Sequence, residues 1–139
     1  MSDRLTIDSV KVGDEAPSRT HKLTRSDLVM YAGASGDFNP MHTDEVSAQA
    51  AGLPSVFGHG MFTMGLLGTA LTDYVGAGNL RSYKVRFTKQ TWPDEELTTR
   101  IVVTGTSEAD GDKLIELECS VANAQGEVKV SGEAVAVAG

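Results

Sequence analysis

An aspartate and a histidine lie five positions apart in a segment of turn-forming residues, Ser35-Gly36-Asp37-Phe38-Asn39-Pro40-Met41-His42. On an α-helix, Asp37 and His42 would lie about 140° apart around the axis, whereas a bent loop can bring them together. Pro40 fixes its own φ and favours an extended Asn39, so this loop is expected to be stiff. A carboxylate and an imidazole held in this way can act as a general acid and base pair.

A simpler interpretation of this loop is also open. Asp37 could cap the turn locally as an Asx-type acceptor, and His42 could be an ordinary surface residue. The composition of the loop by itself is compatible with both interpretations.

A second segment, Gly58-His59-Gly60-Met61, precedes a long apolar stretch, and its histidine follows His42 by 17 positions. If a helix begins here, its first amide groups have no intrahelical partner and lie at the positive end of the helix dipole. A glycine at position 60 lets a carbonyl oxygen approach such an amide closely, as in an oxyanion hole. Alternatively, the two glycines only form a tight turn and His59 is a hydrogen-bonded structural histidine.

Helix signals cover the first half of the chain. Thr24 followed by Asp27 resembles a capping box and predicts a short helix that ends near Gly33 and Gly36. A second short helix is predicted with Thr43 as its N-cap and Gly52 at its end. Residues 60–75 form the third, with apolar side chains on nearly every face, so it is expected to be enclosed on most sides.

Alternating apolar and polar residues predict strands in the second half. The predicted strands are 80–90, 97–107, 113–122 and 127–137, with 19–23 as an extra one. Asp110-Gly111 and Gln125-Gly126 are hairpin turn signals, which favour an antiparallel meander. Cys119 falls on the apolar face of its strand and is expected to be an inert core thiol. The sequence therefore predicts an α+β fold in which a curved sheet wraps a helix.

Composition excludes several classes of function. The 139 residues predict a single domain over 1–139, and 12 basic against 19 acidic residues give a net charge of −7, which disfavours nucleic acid as a partner. Residues 57–75 are too polar to span a membrane, and no membrane partner is expected. One cysteine and the absence of a secretory signal predict a cytoplasmic protein.

The two segments together resemble the hydratase-2 motif of the MaoC-like, R-specific enoyl-thioester hydratases and dehydratases. The resemblance covers residues 31–42 and 58–61 and is most specific at Asp37, Asn39, Pro40, His42, His59 and Gly60. It extends more weakly from residue 10 to residue 87, and is strongest toward the catalytic subunit of actinobacterial (3R)-hydroxyacyl-ACP dehydratases. One departure is Gly68, where relatives often carry a serine.

This resemblance implies a hot-dog fold, and a homodimer or a heterodimer with a related hot-dog subunit, whose sheets join edge to edge. It implies reversible hydration of trans-2-enoyl thioesters of CoA or acyl-carrier protein to (3R)-3-hydroxyacyl thioesters, without cofactor or metal. Asp37 and His42 would be the catalytic pair and the Gly60 amide the donor to the thioester carbonyl. Asn39, Pro40 and His59 would shape the loop.

Basic residues cluster at Arg81, Lys84, Arg86 and Lys89, which are four of the 12 in the chain. With Val85 and Phe87 pointing inward, Lys84 and Arg86 would lie on the opposite face of their strand and could bind the phosphates of CoA or of a carrier-protein phosphopantetheine. The alternative is pairing with acids of a neighbouring strand, such as Glu116 and Glu118.

Three other functions are compatible with the sequence. A hot-dog thioesterase would hydrolyse the same ligand, although the loop with Asp37 and His42 argues against it. A non-catalytic subunit would only bind acyl chains within a heterodimer. A metal site formed by Asp37, His42 and His59 is disfavoured because no two of these residues lie four apart on a helix and none is a cysteine.

Overall fold

The computed structural model describes residues 5–139, which form an antiparallel sheet packed around one long helix. The strands are β1 (Thr20–Lys22), β2 (Leu80–Phe87), β3 (Glu96–Ala109), β4 (Asp112–Ala122) and β5 (Val128–Val137). The helices are α1 (Arg25–Ser35), α2 (Glu45–Ala50) and α3 (Gly60–Val75), with short 3-10 turns at Pro40–His42 and Ala77–Asn79. The predicted α+β class is confirmed.

The strand order in the sheet is β1-β3-β4-β5-β2. Strands β3, β4 and β5 form the predicted meander, and positive φ angles at Asp110 and Gly111 close its first hairpin. Strand β2 pairs with β5 at the far edge, so the chain must cross the sheet between residues 87 and 96 to begin β3. The alternation pattern predicted the strands but not this placement of β2.

One side of α3 packs into the core. Leu67 and Leu71 are fully buried and lie in the same cluster as Ile115 and Leu117 of β4. One exposed stripe runs along α3 at Met61, Gly65, Thr69 and Asp73, and its other positions from 62 to 75 are buried or partly buried, so the helix is enclosed on most sides as expected. Cys119 is buried as predicted, and burial raises the pKa of its thiol to about 11, so it is a core residue without thiolate character.

Helix starts follow local capping chemistry. The Thr24 side chain accepts from the Asp27 amide and the Asp27 carboxylate accepts from the Thr24 amide, which confirms the capping box of α1. The predicted cap of α2 is wrong by one residue. Thr43 ends the preceding 3-10 turn by donating its amide to Pro40, and the Asp44 carboxylate caps the helix instead.

Within residues 5–139, none of the helices has the length and apolarity that crossing a lipid bilayer requires.

A buried lysine anchors the connection between β2 and β3. The Lys129 side chain is 2% exposed, and its Nζ donates to the Gln90 carbonyl at 2.9 Å and lies 3.0 Å from the Glu95 carboxylate. Glu95 also accepts from the Trp92 amide and from the Asn123 side chain. Such a buried charge pair is stable only because its remaining polar atoms are hydrogen-bonded.

We predict that Glu95→Gln lowers the free energy of unfolding at pH 7 by about 3 kcal/mol, because it leaves the Lys129 ammonium without a counter-charge. Burial raises the pKa of Glu95, but hydrogen bonds from Asn123, the Trp92 amide and Lys129 outweigh it, and the net pKa lies below the ordinary value of 4.5. Its stabilisation is therefore present above pH 4.5 and is lost as the pH falls through the lowered pKa.

Denaturant unfolding of both proteins between pH 3 and 7 tests this expectation, with Glu96→Gln at the neighbouring exposed position as the control. The difference between wild type and Glu95→Gln should shrink below pH 4.5. A difference that is absent at pH 7, or that grows toward acid pH, would contradict the role of the pair.

Candidate active site

The loop between α1 and α2 is held by hydrogen bonds to its own main chain. Helix α1 ends at Gly36, whose φ of 77° is left-handed. The Asp37 Oδ1 atom accepts from the Asn39 amide at 3.3 Å, and the Asn39 Oδ1 atom accepts from the Met41 amide at 3.1 Å. The Asx-type turn is therefore present, but the idea that His42 is a surface residue is wrong, since it is 7% exposed.

This bend brings the two candidate catalytic side chains together. His42 Nε2 lies 3.8 Å from Asp37 Oδ2. The two atoms are too far apart for a direct hydrogen bond, but a single oxygen atom placed between them can contact both. The side chain of His42 is 8% exposed and that of Asp37 is 52% exposed, so the carboxylate forms the open side of the site.

The tautomer of His42 is set by a main-chain carbonyl. His42 Nδ1 lies 2.7 Å from the Phe57 carbonyl oxygen, and because a carbonyl only accepts, Nδ1 carries the hydrogen. In the neutral imidazole, Nε2 then presents a lone pair on the side of Asp37. When protonated, the same atom presents a hydrogen, so one position can accept or deliver a proton.

The segment that supplies this carbonyl is tied down at three points. The Phe57 amide donates to Met41 at 3.2 Å, and the Gly58 amide donates to Thr91 at 2.8 Å. The Glu45 carboxylate accepts from the Val56 amide at 2.9 Å and from the Arg25 guanidinium. The Arg25 hydrogen bond, followed by that of the Val56 amide, lowers the pKa of Glu45.

His59 contacts both candidate catalytic residues and is 1% exposed. Its Nε2 lies 3.1 Å from the Asp37 main-chain oxygen, and its ring stacks on His42 with centroids 3.9 Å apart and an interplanar angle of 26°. Its other nitrogen, Nδ1, has no hydrogen-bond partner among residues 5–139. Burial lowers the pKa of His59 and the neighbouring His42 adds to this effect, while the Asp37 carbonyl opposes it.

Gly60 is the first residue of α3, so its amide has no intrahelical acceptor. A Cβ atom at position 60 would lie 3.1 Å from the Phe87 ring, closer than an ordinary contact, so a larger residue here would require the ring to shift. Gly60 and Phe57 line one side of a cleft of about 330 Å³, and residues 87–91 line the other. Because glycine has no side chain, main-chain atoms of Gly60 border this cleft.

The basic residues of β2 lie elsewhere. Lys84 Nζ is 3.4 Å from Glu133 of the adjacent strand, and both side chains are mostly exposed. The predicted cross-strand pairing therefore occurs, but with Glu133 rather than with Glu116 or Glu118. Phe87 does not point into the core as expected: it is 52% exposed and lies over Gly60.

Asp37, His42 and His59 offer potential ligand atoms within 4.8 Å of one another. A metal ion binds a histidine nitrogen along the lone pair, which lies in the ring plane. The two rings are stacked 26° from parallel, whereas two histidine ligands of one ion must direct their lone pairs to a common point. Metal-free chemistry stays a prediction.

Comparison with known proteins identifies the family. The model of the MaoC like domain matches residues 9–125, so this chain belongs to the MaoC-like domain family. The R-hydratase PhaJ1 of Pseudomonas aeruginosa, solved without ligand, superposes with a TM-score of 0.85 at 25% identity, covering 97% of this chain and 86% of that one. The hot-dog fold that the sequence predicted is confirmed.

Two curated relatives carry names that describe an activity. The 3-hydroxyacyl-thioester dehydratase Y of Mycobacterium tuberculosis is 42% identical over 88 residues, which is 60% of this chain and 30% of the relative. The probable enoyl-CoA hydratase 2 of Dictyostelium discoideum is 31% identical over 93 residues, which is 63% of this chain and 32% of the relative. The chain thus spans about a third of the length of these relatives.

Sequence reasoning missed the groups that support the site from outside the motifs. The Phe57 carbonyl gives no sequence signal, because every residue has one. Thr91 covers Gly58 so closely that a Cβ there would lie 2.2 Å from its hydroxyl oxygen. In the sequence, Glu45 has only the pattern of an acid in the first turn of a helix, yet its carboxylate binds both Arg25 of α1 and the Val56 amide before α3.

Proposed function

We propose that this chain catalyses the reversible hydration of trans-2-enoyl thioesters to (3R)-3-hydroxyacyl thioesters, with Asp37 and His42 as the catalytic pair. The observation that carries the proposal is the 3.8 Å separation of Asp37 Oδ2 and His42 Nε2, with His42 Nδ1 bound to the Phe57 carbonyl. The names of the two curated relatives and of PhaJ1 describe the same reaction class.

Hydration needs a base for water, an acid for C2 and donors for the developing enolate oxygen. In the proposed mechanism the Asp37 carboxylate removes a proton from water, and the resulting oxygen adds to C3 as the C2–C3 double bond opens. The His42 imidazolium delivers its Nε2 proton to C2. The Gly60 amide donates to the thioester oxygen, where negative charge accumulates. Dehydration runs through the same groups in reverse.

In the proposed mechanism, Asp37 and His42 together hold one transferable proton at the start of both hydration and dehydration. Hydration begins with Asp37 ionised and His42 protonated, and it ends with Asp37 protonated and His42 neutral. Dehydration begins from that second state. A single tautomer of His42 serves both states, because Nδ1 donates to Phe57 throughout and only Nε2 exchanges its proton.

We predict that Asp37→Asn and His42→Gln each lower the turnover of crotonyl-CoA by about 10²–10⁴-fold, because each removes one half of the proton transfer. Purified wild-type protein should form the (3R)-3-hydroxy product, which chiral analysis identifies. The folded state of each variant is checked by circular dichroism. Turnover by a folded variant near the wild-type rate would remove that residue from the mechanism.

The same incubation separates hydration from the alternatives. A thioesterase would release free thiol, which a thiol reagent detects and hydration does not generate. A non-catalytic subunit would be inactive alone and would gain activity only with a partner chain. Wild-type protein that releases thiol without forming a hydroxyacyl product would overturn the proposal.

We predict that Gly60→Ala lowers turnover by about 10- to 100-fold, because a methyl group beside the Phe87 ring hinders the carbonyl from reaching the amide. Gly65→Ala is the matched control, since a Cβ there meets nothing within 4 Å on the exposed side of the same helix. It should keep full activity and gain up to about 1 kcal/mol in stability. Equal activity of the two variants would argue against the oxyanion role.

The acyl carrier, CoA or acyl-carrier protein, is proposed to bind through phosphates at Lys84 and Arg86. Arg86 supports this role because it has no ion-pair partner among residues 5–139, whereas Lys84 is already close to Glu133. We therefore predict that Arg86→Ala raises the KM for crotonyl-CoA several-fold, because losing one charge-assisted phosphate contact costs about 1 kcal/mol or more. Lys84→Ala should raise the KM less. Steady-state kinetics at low salt measures both, and an unchanged KM in the double variant would exclude the role.

A homodimer, or a heterodimer with a related hot-dog subunit, is proposed to form by edge-to-edge pairing of sheets. Strand β2 supports this idea because it is an edge strand of eight residues that pairs on one side with β5. An edge of this length leaves main-chain groups available for a further strand. Native mass spectrometry of the purified chain distinguishes self-pairing from a need for a second subunit. The cytoplasmic location stays a prediction.

A further inference from the structure

His59 is the residue through which the three proposed catalytic groups are connected. Its Nε2 binds the main-chain oxygen of Asp37, its ring stacks on His42, and it immediately precedes Gly60 as the N-cap residue of α3. It makes no side-chain capping bond to the helix that it begins. A histidine with only a helix-capping role would direct its side chain to the free amides, and this one is directed to the loop.

The contacts of His59 define its protonation state. Because the Asp37 carbonyl only accepts, Nε2 carries the hydrogen. A second hydrogen on Nδ1 would be buried with no acceptor among residues 5–139, which is costly for a charged group. It would also place a positive charge against the His42 ring, which must itself be protonated for hydration. The titratable groups that face His59 are Asp37, His42 and Tyr31, whose ring centroid lies 4.9 Å away.

The ring of His42 contacts two neighbouring rings. His59 stacks at 3.9 Å, and the Phe57 ring meets His42 edge-on at a centroid distance of 4.8 Å. The hydrogen bond at Nδ1 fixes the position of the ring, and the stack fixes its rotation about that bond. Nε2 is thereby aimed at Asp37, whose main chain the same His59 side chain holds.

We propose that His59 is a positioning residue, which as a neutral imidazole fixes the spacing of the Asp37 carboxylate, the His42 ring and the Gly60 amide. This inference rests on the proposed function and assigns His59 no contact with the reacting atoms. Misplacement by about 1 Å can cost about 10²-fold in rate, so a residue that sets these spacings should act on kcat far more than on KM.

The test uses two substitutions that separate the two ring nitrogens. The side-chain nitrogen of Gln reaches the Nε2 position, whereas that of Asn reaches only the Nδ1 position. His59→Gln should keep kcat for crotonyl-CoA hydration within about threefold of wild type, and His59→Asn should lower it by about 30- to 100-fold, with KM changed by less than about threefold. His21→Gln, at a half-exposed histidine paired with Asp27, is the control and should leave both constants unchanged.

Equal kcat for the Gln and Asn variants would overturn the positioning role. The pH dependence of kcat/KM gives a second readout. On the acid side, the fall in kcat/KM should have the slope of a single protonation, both in wild type and in His59→Gln. A slope of two protonations in wild type that becomes the slope of a single protonation in His59→Gln would show that His59 titrates, and would overturn the neutral state.

A measurement on the wild-type chain avoids any dependence on how the variants fold. The ¹⁵N chemical shifts of labelled histidines report which ring nitrogen carries hydrogen. His59 should hold its hydrogen on Nε2 without titrating between pH 6 and 8, and a hydrogen on Nδ1 would overturn the proposal. Since this readout needs no turnover, a chain that lacks hydratase activity but shows this tautomer would refute the proposed function alone.

Discussion

The hydrogen bond from the His42 imidazole to the Phe57 carbonyl joins the two segments that carry the proposed chemistry. It selects the tautomer of His42, sets the side on which Nε2 exchanges a proton, and fixes how far the loop after α1 lies from the start of α3. A carbonyl is well suited to this task, because it only accepts and does not change its protonation state. Of the two groups in this hydrogen bond, only the imidazole can change its charge, and it does so by gaining or losing a proton at Nε2.

The surroundings of His42 and Asp37 differ in a way that suits a proton-transfer pair. The imidazole is enclosed by two aromatic rings and a carbonyl, so its orientation is fixed. The carboxylate is half-exposed; its Oδ1 atom accepts from the Asn39 amide, and the main-chain oxygen of the same residue is bound by His59. A fixed imidazole beside a half-exposed carboxylate is the arrangement that the proposed hydration needs, since water and substrate must reach the carboxylate.

The site also depends on the core at some distance from the motifs. Lys129 on β5 holds the Gln90 carbonyl and pairs with Glu95, which anchors the connection between β2 and β3. The next residue, Thr91, accepts from the Gly58 amide and covers its Cα. The start of α3, which includes the Gly60 amide, is therefore held by the connection between β2 and β3. The position of that connection depends in turn on the buried pair of Lys129 and Glu95.

The sequence by itself determined what local chemistry controls. The capping box at Thr24, the hairpin turn at Asp110-Gly111 and the alternation along β4 are short-range patterns, and the structure has each of them. Local patterns did not show which of two neighbouring residues caps α2. Thr43 and Asp44 are both good N-cap residues, and Asp44 is the cap because Thr43 belongs to the end of the 3-10 turn through His42. Only the tertiary structure decided that β2 pairs with β5, that Phe57 supplies its carbonyl and that His59 stacks on His42. These contacts join segments that are far apart in the sequence. They are made by main-chain atoms and ring faces, which many residues have, so residue type alone does not reveal which of them meet. The packing of the folded chain decides it.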